Sequence, residues 1–176
     1  MASNGYVQLF LFGLLWIGAA SAEISTCVTP PGISGHDINK VYGDWFVGRI
    51  CGPNNIKLDK SACLGISIKK INETTLEIET PAKLPSTIDI SENAGTWRFV
   101  DENRTSQVIY LSEDGSAMEL AFCINNQTIP GLILISRQLP LSPEKKAEVL
   151  HAEEIAGVPE HNHLFKWESE ATCQSA

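Results

Sequence analysis

The sequence of 176 residues has few of the short motifs that carry catalytic or metal chemistry. It contains no phosphate-binding loop, no nucleophile elbow and no catalytic pair of carboxylates, so we expect no catalytic residue and a protein that is not an enzyme. It has no Cys-x-x-Cys pair or other short pair of metal ligands. His151, His161 and His163 are scattered and read as surface side chains. We therefore expect neither a metal nor a cofactor.

Positive charge is also scarce. The sequence has 13 Lys and Arg residues against 21 Asp and Glu residues, with a formal net charge of -8 and a pI of about 4.9. No dense patch of Lys and Arg offsets this balance. Because contact with phosphates needs a basic face, the composition argues against a nucleic-acid partner.

The N-terminal apolar run is too short for a membrane span. It covers residues 9–20, whereas a helix needs ~20 apolar residues to cross a bilayer. Ala20, Ser21 and Ala22 follow in the small-residue arrangement that signal peptidase cleaves, although the basic segment that usually precedes the run is missing. We expect residues 1–22 to be a signal peptide and the protein to be secreted, without stable membrane insertion.

The rest of the chain, residues 23–176, has the length of one domain with a single core. It shows no repeat, no low-complexity run and no linker. Instead, short apolar segments recur between turn residues, and many of them alternate apolar and polar side chains as half-buried strands do. We predict eight strands, over residues 43–51, 62–71, 74–80, 86–91, 95–100, 105–111, 117–124 and 131–137.

The connections between these segments alternate between wide and tight. Successive turns of an antiparallel meander lie at opposite ends, so the alternation predicts an open end and a pinched end. Eight such strands close into a barrel with room for side chains or one small ligand. The wide connections are residues 51–61, 81–85, 101–104 and 125–130, and the tight ones are 72–73, 92–94 and 112–116. The first connection, residues 51–61, is the longest and carries Gly-Pro-Asn-Asn at residues 52–55, so it is a candidate lid or a plain surface loop.

A helix is predicted after the strands. Ser142 suits the N-cap, Pro143 the first turn and Gly157 the left-handed stop, which places the helix over residues 143–156. A final short strand, residues 164–167, is expected beside the first one. The apolar stripe of the helix should pack on the outside of the barrel, and it consists of Ala147, Val149, Leu150 and Ile155.

The run Asp-Ile-Asn-Lys-Val-Tyr-Gly-Asp-Trp, residues 37–45, resembles the entry of the lipocalins. Gly43 and Trp45 match the family's glycine and tryptophan, and Arg137 is similar to the arginine that packs across that tryptophan at the closed end. The resemblance implies an all-β fold, an eight-stranded antiparallel up-and-down barrel with one C-terminal helix outside. The turn at residues 112–116 departs from the family's usual Thr-Asp-Tyr block, which suggests a divergent member and leaves any receptor contact of that block in doubt.

Five cysteines in a secreted chain favour disulfides. The resemblance to insect-type lipocalins implies that Cys27 pairs with Cys123 and that Cys63 pairs with Cys173. Cys51 would then be a free thiol. A dimer bond through Cys51 or an inert thiol is the main expectation, and no nearby His or Asp in the sequence supports thiol catalysis.

Three Asn-x-Ser/Thr triplets begin at Asn72, Asn103 and Asn126 and fall where turns are predicted, so we expect glycans there if the source is eukaryotic.

The same alternation predicts which side chains line the interior of the barrel, as a filled core or as a ligand cavity. In strand six it leaves open whether Val108 and Tyr110 or Ile109 and Leu111 point inward. Arg49 is the polar exception, either facing a carboxylate or phosphate head group or reaching solvent or a loop acid. The candidate cavity residues are Val47, Arg49, Leu64, Ile66, Ile68, Leu76, Ile78, Ile88, Ile90, Trp97, Phe99, Tyr110, Met118, Leu120, Phe122, Ile133 and Ile135.

These features together predict an extracellular protein that binds, sequesters or transports a small hydrophobic molecule. A bound lipid, retinoid, sterol or bilin would suit such a barrel, and the sequence does not choose between them. The alternative is a secreted interaction protein or inhibitor that acts through its loops and has a filled cavity. A Cys51-dependent isomerase is a third hypothesis.

Overall fold

A computed structural model describes residue 27 and residues 29–52, 57–81, 83–102, 104–123, 130–158 and 165–174. Eight antiparallel strands form an up-and-down barrel, which closes because the first strand also pairs with the eighth. The strands are β1 (Gly43–Gly52), β2 (Gly65–Asn72), β3 (Thr75–Thr80), β4 (Lys83–Asp89), β5 (Thr96–Phe99), β6 (Arg104–Leu111), β7 (Ala117–Phe122) and β8 (Gly131–Ser136). The prediction of an eight-stranded barrel is confirmed.

Two predicted boundaries were wrong in an informative way. β2 begins at Gly65 instead of Ala62, and β4 begins at Lys83, which pairs with Thr80. The connection predicted to be wide at residues 81–85 is therefore a short turn. The predicted strand began after Pro85, because proline usually interrupts a strand, whereas Pro85 lies inside β4. Only Ile88 and Asp89 of β4 pair with β5, so Pro85 has no partner residue on that side. Proline is tolerated in such a position because no partner strand needs its missing N–H.

One α-helix among the described residues, α1 (Pro143–Ile155), packs outside the barrel, as predicted. The side chain of Ser142 accepts a hydrogen bond from the backbone N–H of Lys145, and Gly157 has a positive φ of 68° after the last turn. The predicted apolar stripe was correct at Val149 and wrong at its other three positions. The buried side chains of the helix are Val149 and Glu153, whereas Ala147, Leu150 and Ile155 are exposed.

Short strands after the barrel complete the wall. β9 (Gln138–Leu139) pairs with β11 (Cys173–Gln174), and β10 (Phe165–Glu168) pairs with β1, as the sequence predicted for the final short strand. Two disulfides tie the chain ends to the barrel, Cys27–Cys123 and Cys63–Cys173, so the pairing implied by the lipocalin resemblance is present.

The closed end is sealed by Trp45. Its side chain is fully buried and its indole N–H donates to the carbonyl of Val41 at 2.8 Å. The guanidinium carbon of Arg137 lies 3.7 Å from the Trp45 ring centroid, and its N–H groups donate to the carbonyls of Asp44 and Tyr42, both at 2.6 Å. Gly43 has a φ of +105°, and a Cβ there would lie only 3.0 Å from the guanidinium, so this close approach requires glycine.

Two β-bulges change which side chains face inward. In β1 the register shifts between Val47 and Arg49, so Val47 packs in the core whereas Arg49 faces outward. In β6 the register shifts between Val108 and Tyr110. The inward side chains there are Val108 and Leu111, and Tyr110 faces α1. The predicted inward positions of Arg49 and Tyr110 were therefore wrong, because a bulge adds one residue and reverses the alternation after it.

Several predicted features lie outside the described residues. They are the signal peptide, residues 53–56 of the candidate lid, the acceptors Asn103 and Asn126, and His161 and His163. Asn72 is exposed at the β2–β3 turn, and its side chain accepts from the backbone N–H of Thr74. None of the helices in the described ranges is long and apolar enough to cross a membrane.

Candidate ligand cavity and the charge cluster outside it

A cavity of about 420 Å³ lies toward the open end of the barrel, above the sealed floor. Pockets of this size hold small organic molecules. Most of its wall is apolar, and nine of the side chains predicted to face inward line it: Ile66, Ile68, Ile78, Trp97, Phe99, Leu120, Phe122, Ile133 and Ile135.

The other apolar candidates lie in or against the packed core and do not line this cavity. They are Val47, Leu64, Leu76, Ile88, Ile90 and Met118. The barrel therefore contains both a filled core and a cavity, and the cavity lies on the side of the open end. The sequence could not predict where the filled core ends and the cavity begins. Alternation of apolar and polar residues shows which side chains face the interior of the barrel, but it does not show whether the space in front of them is filled.

The cavity also has lining residues that sequence reasoning missed. Ile50 faces it because the bulge in β1 moved the inward set by one residue. Leu58 and Leu84 lie at its open end, with exposed fractions of 40% and 88%, so apolar surface continues out of the cavity to solvent. The polar lining residues are Thr80, Ser86, Glu102, Arg104 and Ser106.

Arg104 could have been found from the sequence. Counting back by twos from the buried Val108 gives Ser106 and then Arg104 on the same face of β6. The predicted strand began one residue later, at Thr105, because Arg104 was assigned to the connection at residues 101–104.

A second concavity of about 480 Å³ runs between β1 and β2 and reaches Glu79 and Gln174. It is shallow and open to solvent. The enclosed apolar cavity is therefore the better candidate for a binding site.

Arg49 forms a buried charge cluster between the outside of the barrel and α1. Its guanidinium donates to Glu119 Oε1 of β7 at 2.5 Å and to Glu153 Oε1 of the helix. All three side chains are at least nine-tenths shielded from solvent. The cluster explains why Glu153 of α1 is buried. Its carboxylate and that of Glu119 on the barrel both contact the guanidinium of Arg49.

Burial controls the protonation of this cluster. It raises the pKa of Glu119 to about 8, against the attraction of Arg49 and with added repulsion from Glu153. Glu119 Oε2 is buried and has no hydrogen-bond partner among the described residues, so an ionised form is poorly compensated. Burial opposes the charge on Arg49 too, but the two carboxylates outweigh it and raise the pKa of the guanidinium.

We expect the stability of the protein to fall as the pH rises from about 4.5 to about 8. The folded state holds a proton on Glu119 with a pKa of about 8, whereas the unfolded side chain has lost it above its ordinary value of 4.5. The stabilisation is therefore complete below the unfolded pKa and is lost as the pH passes the folded one. Urea unfolding across this range measures it, and Glu119→Gln, which imitates the protonated form, should remove the decline. A wild-type stability that is constant or rises over this range would contradict the assignment.

Cys51 lies on the outer wall near the end of α1. Its side chain is 1% exposed and packs with Ile109, Ala121 and Leu132. Burial raises the pKa of the thiol, so at neutral pH it stays protonated and is a poor nucleophile. The environment favours an inert thiol, and it does not present the sulfur to a second chain. Within the described residues, no group of three or more His, Cys, Asp or Glu could hold a metal.

No sequence-family model matches the chain, and no curated protein sequence is significantly similar to it. Solved structures do match. The chain is similar to the major allergen Per a 4 from cockroaches, with a TM-score of 0.60 and 14% identity over 86% of this chain and 96% of the allergen. It is also similar to the siderocalin Ex-FABP, with a TM-score of 0.55 and 17% identity over 78% of this chain and 99% of that one. Both are lipocalins.

The protein has a lipocalin fold. At these identities the likeness concerns the fold and leaves the ligand open. The lipocalin fold nevertheless explains the arrangement described above. A floor of Trp45 and Arg137 closes one end of the barrel, and the cavity lies toward the other.

Proposed function

We propose that this lipocalin-fold protein binds one small hydrophobic molecule in the cavity and sequesters or transports it outside cells. The observation that carries the proposal is the apolar cavity of about 420 Å³ between the packed core and the open end. Burial of apolar surface gives about 25 cal/mol per Å² before the costs of association, which is the source of affinity for such a ligand.

The cavity favours a carrier over a loop-acting inhibitor with a filled barrel. A role as a Cys51-dependent isomerase has little support, because Cys51 lies on the outer wall and its thiol is protonated at neutral pH. We therefore propose a binding protein and not an enzyme.

Secretion is part of the proposal. The two disulfides, Cys27–Cys123 and Cys63–Cys173, suit an oxidising compartment. Residues 1–22 would be removed as a signal peptide, and residues 23–176 would fold as a single domain with glycans on its turns.

A matched pair of leucine substitutions tests the site. Leu120→Trp puts a larger side chain into the cavity, whereas Leu150→Trp makes the same change on an exposed face of α1. We expect the first to weaken binding of the uncharged fluorescent probe N-phenylnaphthylamine by about tenfold or more, since it occupies ligand volume, and the second to leave it unchanged. Titration of probe fluorescence into delipidated protein measures this, with thermal unfolding as the check on folding. Equal binding by a folded Leu120→Trp variant would argue against the cavity as the site.

A further inference from the structure

Arg104 is the only arginine or lysine side chain among the described residues that line the cavity. It faces inward because it stands opposite Phe99 in the β5–β6 register, on the same face of β6 as Ser106 and Val108. The guanidinium carbon lies 4.1 Å from the Phe99 ring centroid, so one face of the cation rests on the cavity wall. The side chain is thus held in a defined place.

The hydrogen-bonding capacity of Arg104 is only partly used. One terminal nitrogen contacts Glu102 Oε2 at 3.1 Å. The Nε–H donor is buried and has no acceptor in the part of the chain that the structure describes. Leaving a buried donor without a partner is unfavourable, and an acceptor brought by a ligand would remove that penalty.

Arg49 shows that one guanidinium of this protein can contact two carboxyl groups, and Arg104 has a side chain that is only 28% exposed. Arg49 binds two, from Glu119 and Glu153, while Arg104 contacts one, from Glu102. The side-chain contacts around Arg104 therefore leave room for a second acid. Resting on the proposed function, we infer that the ligand is an apolar carboxylic acid whose carboxylate binds Arg104 and whose chain fills the apolar cavity.

The charge balance selects a head group with one negative charge. A carboxylate beside Arg104 and Glu102 leaves the group with one net negative charge, whereas a phosphate dianion would add one more negative charge beside Glu102. The rest of the wall is mainly apolar, which suits an unbranched or ring-containing hydrocarbon chain.

Paired probes separate this inference from the proposed function. Dodecanoate and dodecanol share a chain and differ in the charge of the head, and both can be measured by displacement of N-phenylnaphthylamine. We expect Arg104→Met to weaken dodecanoate binding by about tenfold, equivalent to about 1.4 kcal/mol, and to leave dodecanol binding unchanged. Arg98→Met is the matched control, because Arg98 is exposed on the outer face of β5 and pairs with Glu92.

Glu102→Gln should change dodecanoate binding in the direction opposite to Arg104→Met. A misfolded variant would bind more weakly, so it could not produce this result. Removing the competing carboxylate should strengthen dodecanoate binding several-fold and leave dodecanol binding unchanged. If dodecanol binds but neither substitution changes dodecanoate selectively, the acid head group is refuted and the apolar carrier stands. If the wild-type protein binds neither dodecanol nor dodecanoate, the proposed function fails as well.

Discussion

Replacing Arg49 with methionine is expected to lower the free energy of unfolding by about 3 to 5 kcal/mol at neutral pH. The substitution leaves Glu119 and Glu153 buried beside one another, with exposed side-chain fractions of 0% and 7%, and without the cation that both contact. Burial without the cation favours the protonated forms of these carboxyl groups, so the loss should be smaller at about pH 5 than at about pH 8. Urea unfolding at the two pH values measures both effects.

The control for this prediction removes the whole cluster. The triple variant Arg49→Met, Glu119→Leu, Glu153→Leu should recover most of the lost stability, because replacing all members of a buried ion cluster with apolar residues is often neutral. Arg98→Met, at an exposed ion pair, should cost at most about 1 kcal/mol. A loss in Arg49→Met as small as in Arg98→Met would show that the cluster does not fix α1 to the barrel.

Arg137→Ala is expected to cost about 2 to 4 kcal/mol. The alanine variant loses the contact with the Trp45 ring at 3.7 Å and leaves the carbonyls of Asp44 and Tyr42 without their donor. Arg137→Lys should recover only part of this, since an ammonium keeps the charge and cannot donate in the same fork. Thermal and urea unfolding measure the loss.

The circular dichroism of Trp45 tests the Arg137 prediction independently of stability. The near-ultraviolet circular dichroism of Arg137→Ala should change more than that of Arg137→Lys, because the indole loses the group that packs on its face. Two variants as stable as the wild type would contradict the view that this pair seals the floor of the barrel.

The fold could be predicted because its signals are local. Apolar alternation and turn residues located eight strands within a few residues, and Ser142, Pro143 and Gly157 set the limits of α1. The floor and the disulfides were accessible through the lipocalin resemblance, which rests on Gly43, Trp45 and Arg137.

The cavity could be predicted only in part, because bulges in β1 and β6 interrupt the alternation. The bulge in β1 had a signal in the sequence, because a glycine inside a strand, here Gly48, often marks a bulge. A Cβ at Gly48 would lie 3.0 Å from the side chain of Leu139. The bulge in β6 has no glycine to mark it, so Tyr110 could not have been assigned correctly by counting.

The remaining differences between prediction and structure come from contacts between residues that are far apart in the sequence. Glu153 is buried because Arg49, 104 residues away in the sequence, reaches it from β1. No helical pattern could reveal that pairing, and only Val149 of the predicted apolar stripe of α1 lies on the buried face. The cation of the cavity was expected at Arg49, and the structure places Arg104 there instead.

The central claim is that the open half of the barrel holds one apolar molecule. Titration of the delipidated wild-type protein with N-phenylnaphthylamine tests it most directly. The cavity predicts a saturable rise in probe fluorescence that reaches its plateau at one probe per chain and is reversed by dodecanol. A signal that stays at the level of free probe, or that rises without saturation, would contradict the claim.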